Sequence, residues 1–338
     1  MKPFLLTELP QNVYNAGYKA KDDIRKALDG LVTDLTIAEA FRLDKIPAFW
    51  RLLSQIRRIP VGAELILQCP VYSFFNEKFL PLFCRAVEKR RLAVTLILHD
   101  VDTLRYPDRA ARLLPVERRL YGLARRIIVH NEAMKQALTH SHGIPAEKMT
   151  VLGIFDYLLA GTPAGADEAY TRTVFVAGNL SPDKSGYLYR LGELAQSVPV
   201  NLYGGGFDAA RAADSLHYMG SFPPDELPAR LRGNFGLVWD GDRVDTCGGD
   251  TGAYLRINNP HKTSLYLAAG FPVIIWSEAA LAPFVTQHGV GLAVDSLEDL
   301  PRVLADLSEE DYARLRRQAQ AFGARLRQGD FIRLALEI

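Results

Sequence analysis

Chemistry in this chain centres on Lys262 and its neighbours in the run Asn258-Asn259-Pro260-His261-Lys262-Thr263-Ser264, which leads through Gly270 into the apolar Val273–Trp276. The order spells a polar loop, a short helix, a glycine stop and a buried strand. Asn259 offers a side-chain oxygen as the cap, Pro260 suits the first turn, and Gly270 ends the helix. A helix start presents free N–H groups, and Lys262, Thr263 and Ser264 add a charge and two hydroxyls there, a combination that seats anions. A second lysine, Lys184, lies in Gly178-Asn179-Leu180-Ser181-Pro182-Asp183-Lys184-Ser185-Gly186. Gly204-Gly205-Gly206, after the strand-like Val198–Tyr203, lets backbone N–H groups approach a ligand closely. Two lysines in such loops can neutralise a diphosphate without a metal. A plain connection is the alternative for each loop singly; convergence of the three favours a site.

These loops need strands to carry them. In the first half, Phe4–Glu8, Glu64–Gln68, Ala93–Leu98, Arg126–Val129 and Met149–Ile154 are apolar and strand-like. Helical stretches alternate with them, among them Lys19–Leu31, Glu77–Arg91, Glu117–Ala124 and Glu132–His140, the last capped by Asn131. The second half repeats the scheme with Val174–Val176, Val198–Tyr203, Tyr218–Phe222, Phe235–Trp239, Val273–Trp276 and Val290–Val294, closed by helices Leu297–Leu307 and Glu309–Leu326. Strict alternation of this kind predicts α/β architecture, parallel sheets covered by helices, with ligands beyond the carboxyl ends of the strands. The Gly- and Ala-rich stretch Ala160–Thr171 reads as a linker, so we expect domains at 1–160 and 161–338, with the last helix free to pack back on the first.

Composition narrows the class. The 338 residues are 48% hydrophobic and 23% charged, as in folded two-domain proteins. Forty basic against thirty-nine acidic residues give a net charge of +1, which speaks against a nucleic-acid binder. Cys69, Cys84 and Cys247 are too few and too scattered for disulfides or a zinc cluster, and they suit a reducing compartment. His130, His140 and His142 lack metal-ligand spacing. No secretion signal and no apolar run of membrane-spanning length stands out, so a cytoplasmic protein is expected. The basic run Arg118, Arg119, Arg125 and Arg126 is a solvated face or a place to rest on anionic lipid at the inner face of the membrane.

The order of these features brings a family into view. G-N-L-S-P-D-K-S-G, Y-M-G-S-F-P-P-D-E-L-P-A-R-L-R-G-N-F-G-L-V-W and N-P-H-K-T-S-L-Y-L-A-A-G-F-P-V-I-I-W resemble the nucleotide-sugar half of GT-B glycosyltransferases. D-G-D…D-T-C-G-G-D-T-G-A-Y-L-R-I-N-N-P-H-K, N-A-G-Y-K-A-K-D-D and L-H-D-V-D-T-L-R are similar to bacterial galactofuranosyltransferases and to the glucosyltransferases of streptococcal serine-rich-repeat adhesins. The resemblance implies two Rossmann-like domains facing each other across a cleft, and inverting transfer of a hexose from a uridine diphosphate (UDP) sugar to a saccharide, lipid-linked or glycoprotein acceptor. It implies no metal or other cofactor. It places donor binding on Asn179, Lys184, Tyr203, Gly204, Gly205, Asn258, Asn259, His261, Lys262, Thr263 and Ser264, with Asn15, Gly17 and Lys19 approaching from the first half. Where many GT-B enzymes carry a ribose-clasping glutamate, this chain has Leu265, which cannot accept a hydroxyl proton. We also expect a homo-oligomer.

Inverting transfer needs a group that takes the acceptor's hydroxyl proton. Asp100 and Asp102, with His99 third, follow the strand Ala93–Leu98 and are the candidates; a turn cap or a polar strand end is the plainer reading of each. An epimerase of the same fold and a non-catalytic partner subunit are the alternatives. The first has no use for an acceptor-facing carboxylate pair, and the second no reason to keep both lysines.

Overall fold

A computed structural model describes all residues except 12–15, 42–43, 160–168 and 195–196. Asn15 and most of the expected linker lie outside the described residues. The chain divides into two compact units, the first formed by residues 1–152 with 331–338, the second by residues 153–330.

The first unit is a parallel sheet of order β2-β1-β3-β4-β5-β6, with β1 Phe4–Leu9, β2 Thr33–Ala38, β3 Glu64–Cys69, β4 Ala93–Leu98, β5 Arg126–Val129 and β6 Met149–Val151. Its helices are α1 Ala16–Ala27, α2 Lys45–Arg58, α3 Leu80–Lys89, the short α4 Asp102–Arg105, α5 Ala110–Leu123 and α6 Glu132–His142. Strands β3 and β4 bury nearly every side chain, because helices cover both faces of a parallel sheet. Asn131 caps α6 as expected, its side chain accepting from Met134 N, and Gly143 ends that helix in the left-handed conformation at φ 71°. Strand β2 and helix α2 have no counterpart in the sequence reading. Edge strand β2, Thr-Asp-Leu-Thr-Ile-Ala, keeps much of its surface in solvent and lacks an apolar run.

The second unit repeats the design in the order β12-β11-β10-β7-β8-β9, with β7 Val174–Ala177, β8 Val200–Tyr203, β9 Leu216–Gly220, β10 Phe235–Val238, β11 Val273–Trp276 and β12 Gly291–Val294. Between them run α7 Pro182–Ser185, α8 Tyr187–Leu194, α9 Leu227–Arg230, α10 Gly249–Tyr254, α11 His261–Ala268 and α12 Ala282–Gln287. Helices α13 Leu300–Asp306 and α14 Glu309–Gln328 follow, while α15 Asp330–Leu336 belongs from Phe331 on to the first unit. The chain leaves β7 in one direction to β8 and β9, then returns to β10 on β7's other side. The gap between β7 and β10 is therefore a topological switch point, where loops part and leave room for a ligand.

Gly204, just past β8, shows how tightly the loops after β7 and β8 are built. Its φ is 141°, and a Cβ would sit 1.8 Å from the Gly178 carbonyl oxygen, with no side chain to yield. Gly204→Ala is expected to lower stability by about 2 kcal/mol or more, read as an earlier urea midpoint with unchanged slope. An unchanged midpoint would show that the two loops move apart at little cost.

Candidate functional site

In the second unit three loops meet at the carboxyl ends of β8, β7 and β10. Asn179 opens the β7 loop, its Oδ1 accepting from Ser181 N at 2.9 Å and its carbonyl from Ser185 Oγ at 2.7 Å. Gly206 packs against Ser181 and Asn179, and Leu180 N donates to Gly205 O at 2.8 Å, which joins the β8 and β7 loops. Gly241 N donates to Lys184 O, and Tyr187 N donates to Gly241 O, both at 3.3 Å, which joins the β7 and β10 loops.

Lys262 lies under this junction in the first turn of α11. Its Nζ donates to Asp240 Oδ1 at 2.8 Å and to Trp239 O at 2.9 Å, both just past β10. The pair is partly shielded, with side chains 18% and 14% exposed. Two of the three ammonium donors are thereby used, and among the described residues the third has no acceptor and is available to an incoming oxygen. Thr263 Oγ1 and Asn258 Oδ1 are buried without a hydrogen-bond partner among the described residues. Ser264 and Leu265 are also buried, so Leu265 is a packing residue. Cys247 beside this cluster has its thiol pushed up to about 12 by burial, so it carries no thiolate at neutral pH.

The structure corrects the expected cap of α11. Pro260, not Asn259, holds the N-cap position, and it has no side-chain oxygen to offer. Asn259 is buried, and its Nδ2 donates to Gly153 O at 2.9 Å. His261 packs its ring against Tyr157, centroids 5.1 Å apart, and against Phe155. Contacts to residues 153–157 thus fix the entrance of α11, and nothing in the local sequence announces them. Tyr203 is fully buried with its hydroxyl accepting from Arg232 N, which places it in the interior beneath the loops. Gly204 N donates to Gly220 O, so that amide is occupied within the fold.

In the first unit a cavity of about 530 Å³ opens where β3 and β4 end, lined by Tyr72, Phe79, Asp100, Asp102, Glu117 and Tyr121 among others. Asp100 is held by Arg105, Nη1 to Oδ2 at 2.6 Å. Among the described residues no ion pair clamps Asp102 in this way. Burial, then the nearby charges of Asp100 and Glu117, push its carboxyl up to about 6, and Tyr72 OH donates weakly to it at 3.4 Å. His99 Nε2 lies 2.7 Å from Gln68 Oε1. The Gln68 amide nitrogen is oriented by Thr7 Oγ1 and the Lys21 carbonyl, so His99 donates through Nε2. Glu117, which the sequence marks only as a helix start, accepts from Thr103 Oγ1 at 2.5 Å and contacts His142 Nε2 at 2.9 Å. No spacing could reveal it, since its partners come from α4 and α6. His130 donates to Leu98 O and is pushed down to about 4 by burial, a neutral structural histidine.

Lys19 and Gly17 are not brought to this cavity's lining. Lys19 is buried in an ion pair with Asp23, Nζ to Oδ1 at 2.6 Å, one turn along α1, and Gly17 is exposed at the helix start. Among the described residues no three His, Cys, Asp or Glu side chains are grouped to hold a metal ion.

Two parallel units, the second with its loops gathered at a switch point, define the two-domain GT-B fold, and solved structures agree. The structure superposes on WaaG, a glycosyltransferase involved in lipopolysaccharide biosynthesis, with a TM-score of 0.62 at 10% identity, covering 100% of this chain and 98% of that one. A putative UDP-N-acetylglucosamine 2-epimerase from Listeria monocytogenes superposes at 0.54, also at 10% identity, with 99% and 94% covered, so fold alone leaves transferase and epimerase open. Sequence decides between them. The chain matches the glucosyltransferase 3-like N-terminal domain over residues 4–154 and the C-terminal domain over 174–337, and it belongs to that glycosyltransferase family. It is 31% identical to the beta-1,6-galactofuranosyltransferase WbbI of Escherichia coli K12, over 99% of this chain and 97% of that protein. It is 26% identical to glucosyltransferase 3 of Streptococcus gordonii, over 85% and 81%. The chain is a hexosyltransferase, and neither the epimerase nor the partner-subunit reading is favoured.

Proposed function

We propose that the chain moves galactofuranose or glucose from a UDP-sugar to a saccharide or glycoprotein acceptor, with inversion at the anomeric carbon and without a metal. The observation that carries this is Lys262, fixed by Asp240 and Trp239 O at the switch point with one donor to spare. The diphosphate is assigned to this end of the second sheet, between the Lys184 loop and the α11 start, where fixed cations stabilise the leaving nucleoside diphosphate. With Leu265 apolar, the ribose hydroxyls need another acceptor, and Asn258 Oδ1 is a buried one without a donor among the described residues.

The acceptor and the base are assigned to the first unit. As the acceptor hydroxyl oxygen attacks C1, its proton passes to the Asp102 carboxylate, the C1–O bond to phosphate breaks, and UDP departs with the electron pair. Asp100, already bound to Arg105, holds the second negative charge that raises Asp102.

UDP-glucose, UDP-galactopyranose, UDP-galactofuranose and UDP-N-acetylglucosamine offered in parallel should give UDP release with glucose or galactofuranose as the donor. The same rate is expected in excess EDTA. Asp240 and Asp242 flank Gly241 and are the carboxylates that a metal would need. Activity lost in EDTA and restored by magnesium or manganese would overturn the metal-free reading, and no UDP release from any donor would overturn the donor class.

A further inference from the structure

The chain's net charge is only +1, yet its cations are unevenly placed. Helices α2, α3 and α5 follow right-handed crossovers that run the same way across the first sheet, so they form one layer, with α2 packed on α3 and α3 on α5. Helix α2 exposes Arg51, Arg57 and Arg58 and contains no carboxylate. Helix α3 adds exposed Arg85 and Lys89. Helix α5 adds Arg112, Arg118 and Arg119, against one exposed carboxylate in the three helices, Glu88. None of these cations forms an ion pair among the described residues; Arg118 donates to Ser141 O.

Large apolar side chains share this surface. Ile46 is 57% exposed and Trp50 52%, one turn apart on α2, and Leu82 on α3 is 38% exposed. Arg57 continues the Ile46–Trp50 stripe two turns on, while Phe49, Leu52, Leu53 and Ile56 fill the core from the opposite side of α2. A cationic helix face with an exposed tryptophan and isoleucine matches the interface of an anionic bilayer, where charges meet headgroups and the apolar groups enter the acyl boundary. A nucleic acid would reward the charge alone. We propose that the α2–α3–α5 layer docks the enzyme on an anionic lipid bilayer. Lys45 of α2 and Arg112 of α5 also line the first unit's cavity, so a membrane on this face lies beside its mouth. The docking itself does not depend on which sugar is moved.

The test uses the full chain and vesicles of phosphatidylcholine with about one third phosphatidylglycerol, the anionic component supplying the attraction. Trp239 and Trp276 are 0% and 1% exposed, so Trp50 is the one tryptophan that vesicles can reach and serves as the probe. Co-sedimentation with the mixed vesicles, little with pure phosphatidylcholine, and a blue shift of tryptophan emission are expected. Arg57→Gln with Arg58→Gln should weaken partitioning by roughly tenfold or more, since each surface cation is worth about a fivefold change. Trp50→Ala should abolish the blue shift, and both variants should keep the parental turnover with water-soluble acceptor. Equal binding to neutral vesicles, an unshifted emission, or partitioning unaffected by the paired arginine change would each overturn the proposal. So would equal binding to a soluble polyanion such as heparin.

Discussion

Asp102→Asn is expected to lower turnover by roughly a hundredfold or more while leaving affinity for the uridine nucleotide nearly unchanged. A general base contributes about 10²–10⁴ to rate and acts on the acceptor, so its loss falls on turnover and spares donor binding. Asp102 is singled out over Asp100 because Arg105 holds Asp100 at 2.6 Å, whereas Asp102 forms no ion pair among the described residues and is raised to about 6. The working form of a base is the carboxylate, so parental turnover should rise with pH through about 6 and then level. That limb should vanish in the asparagine variant. Asp100→Asn would remove one of the charges that raise Asp102, and the limb should move to lower pH. Parental turnover in both variants would take the carboxylates out of the mechanism and leave His99, whose Nε2 is engaged by Gln68. Equal loss of nucleotide affinity and turnover would mean that the segment supports the fold of the site instead.

Lys262→Ala should weaken UDP binding by tenfold or more in calorimetry and take turnover with it. A charge-assisted contact to a shielded anion is worth about 1.5–3 kcal/mol, and each 1.4 kcal/mol is a factor of ten. Removing Lys262 also leaves Asp240 without its partner, at 14% side-chain exposure, which raises a competing explanation. Lys262→Ala combined with Asp240→Ala separates the two. If the lysine holds phosphate, the double variant still binds weakly although no charge is stranded. If Lys262 serves only to neutralise Asp240, the double variant recovers parental affinity, and the donor assignment fails.

Sequence alone determined the strands that carry these groups. Ala93–Leu98, Arg126–Val129 and Val273–Trp276 are read with their observed ends, because a strand buried on both faces is a nearly continuous apolar run flanked by polar turns. The family was legible too, since the lysine and glycine loops follow consecutive strands in a fixed order. Edge strand β2 was not, because a half-exposed strand carries a weaker pattern; helix α2 was missed although Phe49, Leu52, Leu53 and Ile56 recur at helical spacing. What only the tertiary structure decided is partnership. Lys262 meets Asp240 twenty-two residues away, Asn259 meets Gly153 across more than a hundred, and Glu117 is joined to His142 between neighbouring helices. Local sequence sets which elements form through hydrogen bonds a few residues long and through apolar periodicity. Which polar side chains then meet depends on strand order and crossover, and that order is fixed only when the whole sheet closes its core.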